Sequence, residues 1–174
     1  SLEPVLKKAA AEFPPVVLTG PRQSGKTTLL QHLFSKSHQY VSLEPPDVRA
    51  SAIEDPRSFL ELYPPPVIFD EVQYAPDLLP YIKEKIDAER GKSGQYLLTG
   101  SQNLLLMERV TESLAGRAAM LRLLPLSQRE AEGQPEASLP WESKRSSFKA
   151  SKFSYRQLWK GFLRGSYPEL KTHP

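Results

Sequence analysis

The stretch GPRQSGKTTLL, Gly20 to Leu30, decides how this chain is read. It fits G-x-x-x-x-G-K-[ST], the Walker A pattern, with Gly20, Gly25, Lys26 and Thr27 at the fixed places. An apolar run, PVVLTG, leads into it. Behind it Leu29, Leu30, Leu33 and Phe34 recur at helical spacing. The motif needs this order of strand, glycine-bearing turn and helix. Successive backbone N–H groups of such a turn curl round phosphate oxygens, and glycine permits the close approach. The helix N-terminus adds partial positive charge. The cradle so assigned comprises Gly20, Pro21, Arg22, Gln23, Ser24, Gly25, Lys26, Thr27 and Thr28. Lys26 would reach the β- and γ-phosphates, and the Thr27 hydroxyl would ligate Mg²⁺.

VIFDE supplies the second signal. An aspartate at a strand end beside a phosphate loop can hold Mg²⁺ through its coordinated water, and Asp70 fits that place. Glu71 follows directly, where a carboxylate could polarise an attacking water. An acidic pair can also simply open a loop after a strand. The phosphate loop upstream tips the reading towards chemistry.

The bulk composition bounds what else the chain can be. It has 174 residues, 39% hydrophobic and 25% charged, which suits one globular domain, or one domain and a fragment of a second. A net charge of +3 is too weak to imply nucleic acid, which stays possible but unsupported. There are no cysteines, so disulfides and thiolate metal sites are excluded. His32, His38 and His173 show no ligand spacing. No apolar run approaches membrane-spanning length, and no signal-peptide core opens the chain. A soluble cytoplasmic protein with no membrane partner is expected.

Prolines and glycines divide the rest. Residues 2–12 read as an amphipathic helix, and QYVSL as a second strand. Asp47 to Ile53 and Asp55 to Leu62 read as short helices, the second with an Asp cap and Pro56 at its first position. PVIFDE is a third strand, Asp77 to Arg90 a helix, and QYLLTGS a fourth strand. Gln102 to Leu114 reads as a helix and AAMLRLLPL as a fifth strand. Apolar strands alternating with helices predict a parallel sheet covered on both faces. Residues 133–152 are rich in Ser, Lys and Pro and read as a loop or linker, and 153–174 as one more helix and a Gly turn.

Spacing separates the trades that share a phosphate loop. A whole strand unit lies between the loop and Asp70. A GTPase would carry D-x-x-G near Asp70 and N-K-x-D later; the sequence has DEVQ and no N-K-x-D. A small-molecule kinase has no need of the acidic pair, and no acceptor pocket is legible. If the fourth strand inserts between the first and third, Thr99, Ser101, Gln102 or Asn103 could sense the γ-phosphate. Ser101 could equally cap the next helix. Arg117 could cap the preceding helix electrostatically, or reach a neighbouring subunit's γ-phosphate as an arginine finger. The finger needs a homo-oligomer.

GPRQSGKTTLL, VIFDEVQYAPDLLPYIK, LLTGSQNLLLM, ESLAGR, LLPLSQRE and GSYPEL, in that order, resemble a prokaryotic ATPase family of the AAA+ superfamily. Members of that family carry a C-terminal domain of unknown function. The resemblance spans Val16 to Leu170. It implies ATP as the nucleotide and a sheet in the order 5-1-4-3-2. It also implies Asp70 as the Mg²⁺ (Walker B) aspartate, Glu71 as the catalytic glutamate and the GSQ segment, with Ser101, as first sensor. In the relatives GSYPEL leads into a lid and the C-terminal domain, so a fragment is expected. The expected whole is a three-layer α/β P-loop core over 1–132, a loop over 133–152 and the start of a lid region over 153–174. It would bind ATP and hydrolyse it with Mg²⁺, using Lys26, Glu71, Ser101 and Arg117. The alternative is a nucleotide-gated switch that hydrolyses little.

Overall fold

The structure is a computed structural model that describes residues 2–101, 104–127, 130, 154–156, 159, 165, 167 and 168. Residues 2–124 form one compact unit, and the described residues from 125 onwards belong to a second. The loop expected over 133–152 lies outside the described residues, as does most of the helix expected after it. Within the second unit, the Tyr155 and Trp159 rings meet edge to face at 5.9 Å.

The first unit runs α1 (Glu3–Glu12), β1 (Pro15–Gly20), α2 (Lys26–Phe34), β2 (Gln39–Ser42), α3 (Pro46–Glu54), α4 (Pro56–Leu62) and β3 (Val67–Asp70). A one-turn 3-10 helix (Val72–Tyr74) follows, then α5 (Leu78–Ala88), β4 (Tyr96–Ser101), α6 (Leu104–Leu114) and β5 (Ala119–Arg122). The five strands pair in parallel in the order β2-β3-β4-β1-β5. This is the expected 5-1-4-3-2 order, read from the other edge.

Alternation along the strands explains both the layers and the site. Val16 and Leu18 of β1, Ile68 of β3 and Leu97 of β4 are buried with Leu6 of α1 and Leu30 of α2. Val17, Phe69, Tyr96 and Leu98 face the other way, into a core shared with Phe59 of α4 and Ile82 of α5. Each such fully buried side chain contributes about 1.5–3 kcal/mol. Strand side chains repeat every second residue. Asp70, two beyond Ile68, and Thr99, two beyond Leu97, therefore turn to the face on which α2 begins. The hydrophobic pattern of the strands thus aims the polar groups of the site.

Some boundaries differ from the sequence reading for local reasons. β5 is confined to Ala119–Arg122, because its register ends at Thr19↔Arg122, where β1 turns into the loop. Pro46 lies in the first turn of α3, a place proline suits, and the helix runs on to Glu54. The Asp55 side chain caps α4 as expected, accepting from Ser58 N at 3.1 Å. Ser101 ends β4, and Gln102 and Asn103, between it and Leu104 of α6, lie outside the described residues. The 3-10 turn has no periodic signature; it arises because Glu71 adopts a left-handed backbone, φ 58° and ψ 48°.

Candidate functional site

The site lies at the carboxyl edge of the parallel strands, where open α/β sheets hold their ligands. Gly20 ends β1 beside Ser101, the last residue of β4. A Cβ at Gly20 would lie 2.1 Å from the Leu123 carbonyl oxygen, and its φ is +155°, so only glycine fits. The chain then turns through Gln23, φ 60°, and Gly25, φ 91°, before α2 starts at Lys26. Left-handed residues of this kind gather backbone N–H groups into an anion-binding concavity at a helix N-terminus.

Lys26 is buried, and its Nζ donates to Gly20 O at 3.1 Å and to Pro21 O at 2.7 Å. Burial pushes its ammonium below the usual lysine range. The carboxylates of Glu71 and Asp70 oppose that shift, and Arg22 adds to it. Lys26 therefore sits within the field of both acidic groups. Ser24 is buried, and its Oγ finds no hydrogen-bond partner among the described residues. Thr28 belongs to the first turn of α2.

Three hydroxyls converge on Asp70. Thr27 Oγ1 donates to Oδ1 and Oδ2, each at 3.0 Å. Tyr40 of β2 donates to Oδ2 at 2.8 Å. Thr99 Oγ1 donates to Oδ1 and also accepts from the backbone N–H of Glu71 at 3.1 Å. Glu71 turns away from the strand direction at its left-handed backbone, and its Oε2 accepts from Gln73 Nε2. Gln73 Oε1 in turn accepts from Ser101 N at 3.3 Å. The structure thus gathers Lys26, Thr27, Asp70, Glu71 and Ser101 at one edge of the sheet, beside the loop Gly20–Gly25.

Arg117 is not brought there. It stands two residues before β5, whose first residue pairs with Val16 near the start of β1. Its guanidinium holds Asp87 of α5 at 2.7 and 3.1 Å. That is the opposite edge of the sheet. Gln102 and Asn103 lie outside the described residues.

The donor set fits the groups expected of it. Among the described residues no cluster of three or more His, Asp, Glu or Cys could hold a metal. Thr27 and Asp70 offer oxygen ligands only. That suits Mg²⁺, which keeps waters and substrate phosphates for its other positions and needs no all-protein cage. The unpartnered Ser24 hydroxyl and the ammonium of Lys26 suit phosphate oxygens.

Residues 12–132 match the AAA domain family. The chain belongs to that family. Its relatives include the uncharacterized proteins Mb2031c of Mycobacterium bovis and Rv2008c of Mycobacterium tuberculosis. Each is 34% identical over 137 residues, which is 78% of this chain and 30% of the relative. The chain therefore spans about a third of the length of these curated relatives. Among solved structures it is similar to the Walker-type ATPase paby2304 of Pyrococcus abyssi. The TM-score is 0.52 and the identity 17%, over 80% of this chain and 59% of the other. At that identity the likeness speaks to the fold. The AAA family and the P-loop fold together make this a nucleotide-binding domain of the ATPase type. No described helix is long and apolar enough to cross a membrane.

Sequence reasoning named the loop and the acidic pair. It weighed Thr99 only as one of four sensors, and it missed Tyr40 and Gln73. Tyr40 precedes Ser42, the in-register partner of Asp70, by two residues, a relation that only the strand pairing supplies. Gln73 carried a weaker signal, an amide two residues beyond a strand-end glutamate.

Proposed function

We propose that this AAA domain binds ATP with Mg²⁺ and hydrolyses it, driving a partner or a further domain of the protein. The convergence of Thr27 on both oxygens of Asp70, with Glu71 next in the chain, carries this reading. The backbone of Gly20–Gly25 would bind the phosphates. Lys26 would leave its carbonyl partners for the β- and γ-phosphate oxygens. Thr27 and Asp70 would hold the metal, which supplies charge neutralisation of the phosphates when bound. Glu71 would orient the attacking water and draw its proton. Ser101, beside Gly20 at the end of β4, would report whether the γ-phosphate is present.

Two substitutions test this. Lys26→Ala should abolish ATP binding. Glu71→Gln should keep binding and lose turnover. Hydrolysis at the normal rate by Glu71→Gln would sink the mechanism.

A second reading, a nucleotide-gated switch with little hydrolysis of its own, draws support from Arg117. This side chain pairs with Asp87 at the far edge, so the chain does not bring it to its own phosphate loop. Turnover measured against protein concentration separates the two. Absence of turnover at every concentration, with ATP bound, favours the switch.

A further inference from the structure

We propose that Gln73 is a positioning residue: its side-chain amide ties the Glu71 carboxylate to the end of β4, so that Glu71 is aimed only when that end is in place. The proposal rests on the hydrolysis reading above, and it assigns a role to a residue outside the loop and the acidic pair.

The geometry is a bridge made by one amide. Gln73 Nε2 donates to Glu71 Oε2, and Gln73 Oε1 accepts from Ser101 N. An amide stays neutral while its N–H serves a carboxylate and its carbonyl oxygen serves a backbone N–H. The turn that presents it is fixed. Tyr74 N donates to Glu71 O at 3.0 Å and Ala75 N to Val72 O at 3.1 Å, and Val72 is fully buried. Glu71 turns at a left-handed backbone, and its negative charge, like that of Asp70, favours the charged form of Lys26 against burial. The carboxylate held by Gln73 is therefore one whose charge acts on the ammonium beside the phosphate loop.

The bridge is the second of two ties between β4 and the end of β3. Thr99 fixes the first, holding the Asp70 carboxylate and the Glu71 backbone. That tie is buried and sits inside the strands. The Gln73 tie lies at the rim and ends on Ser101, beside Gly20 where the loop begins. A shift of the β4 terminus would pull on the Glu71 side chain through Gln73 and leave Asp70 held by Thr99. Metal binding and water activation are thereby placed on separate ties.

The test measures ATP affinity by nucleotide fluorescence, steady-state kcat and KM, and single-turnover rates on the full chain. Gln73→Glu keeps the size and the acceptor for Ser101 N but cannot donate to Glu71. Gln73→Leu removes both bonds. Both should lower kcat about tenfold to a hundredfold, as misplacing a catalytic group does, with ATP affinity within about twofold of wild type. Placed on Glu71→Gln, Gln73→Leu should slow the residual single turnover no further, because the group it positions is already disabled. Wild-type kcat in both Gln73 variants, alongside loss in Glu71→Gln, would overturn this proposal and leave the hydrolysis reading standing. So would a full additional loss in the double variant, or a fall in ATP affinity matching the fall in kcat, since either marks general damage. A wild-type chain that binds ATP and never cleaves it would overturn both.

Discussion

Thr27 Oγ1 stands 3.0 Å from each carboxylate oxygen of Asp70, joining the first turn of α2 to the end of β3. The two residues are 43 apart in sequence, and their meeting depends on β1 and β3 being separated by β4 alone. Asp70→Asn and Thr27→Val should each remove most of the gain in ATP affinity that Mg²⁺ confers, leaving the metal-free affinity near wild type. ATP titrations with Mg²⁺ and with chelator measure this. An undiminished Mg²⁺ response in Asp70→Asn would remove the metal role. Tyr40→Phe should have a smaller effect, a few-fold, because the hydroxyl touches Asp70 from a half-exposed position. Burial, and then the bond to Asp70, push the Tyr40 hydroxyl up to about 12, so it remains a donor across the working pH range.

The start of β2 is held by His38, and that tie should be sensitive to acid. Its Nε2 donates to Gly94 O at 2.8 Å, Ser37 Oγ lies 2.9 Å from Nδ1, and the Phe34 ring meets it edge-on. Burial lowers its basicity below the ordinary value of 6.5, with the Gly94 carbonyl opposing. A lowered folded-state value means the unfolded chain takes up the proton first as pH falls. The His38 contribution should therefore be complete above about pH 7 and be lost as pH drops from 6.5 through the lowered value. Urea midpoints of wild type and His38→Gln between pH 8 and pH 5 should show a steeper decline in wild type. Parallel curves would refute it.

Gly20→Ala should unfold the loop junction. The added methyl would meet the Leu123 carbonyl oxygen at 2.1 Å, and neither strand can retreat, because Leu123 N is bonded to Thr19 O at 2.8 Å. Overpacking against backbone together with a strained φ is worth about 2–4 kcal/mol. Denaturant unfolding should show that loss, with ATP binding weakened as well. Wild-type stability would mean that the junction is looser than its contacts indicate.

Much of this was legible in the sequence because each signal was local. The Gly20–Thr27 spacing, the apolar run of β1 and the Leu29/Leu30/Leu33 repeat all agree on strand, loop and helix. Asp70 was readable as a strand end. What escaped depends on register. Tyr40 joins Asp70 only because β2 pairs with β3 at Tyr40↔Ile68. Gln73 reaches Ser101 only because β4 lies beside β3 and Glu71 bends the chain back. A single sequence contains neither pairing. β5 was overestimated because LLPL is apolar, whereas its length is set by where β1 stops offering hydrogen bonds.

Arg117 and Asp87 make the prediction that decides whether one chain suffices. Arg117 is anchored by two bonds to Asp87 and a third to Ala115 O at 3.2 Å. The bond from Arg117 holds the Asp87 carboxyl below its ordinary range. β1 rises about 3.3 Å per residue, so the loop begins about 15 Å from the edge where Arg117 stands. Arg117→Ala should therefore leave the ATP affinity of the isolated chain unchanged and lower the urea midpoint slightly. Asp87→Ala should do the same, and the double variant should be no worse than either, since one exposed pair is lost in all three. Any part in hydrolysis must come from a second copy. In that case turnover per subunit rises with protein concentration in wild type, and Arg117→Ala removes the rise while matching the dilute rate. Asp87→Ala should keep the rise, because it frees the guanidinium without removing it. Turnover per subunit that is flat with concentration and identical in Arg117→Ala would leave the residue as a clasp between α5 and the turn before β5.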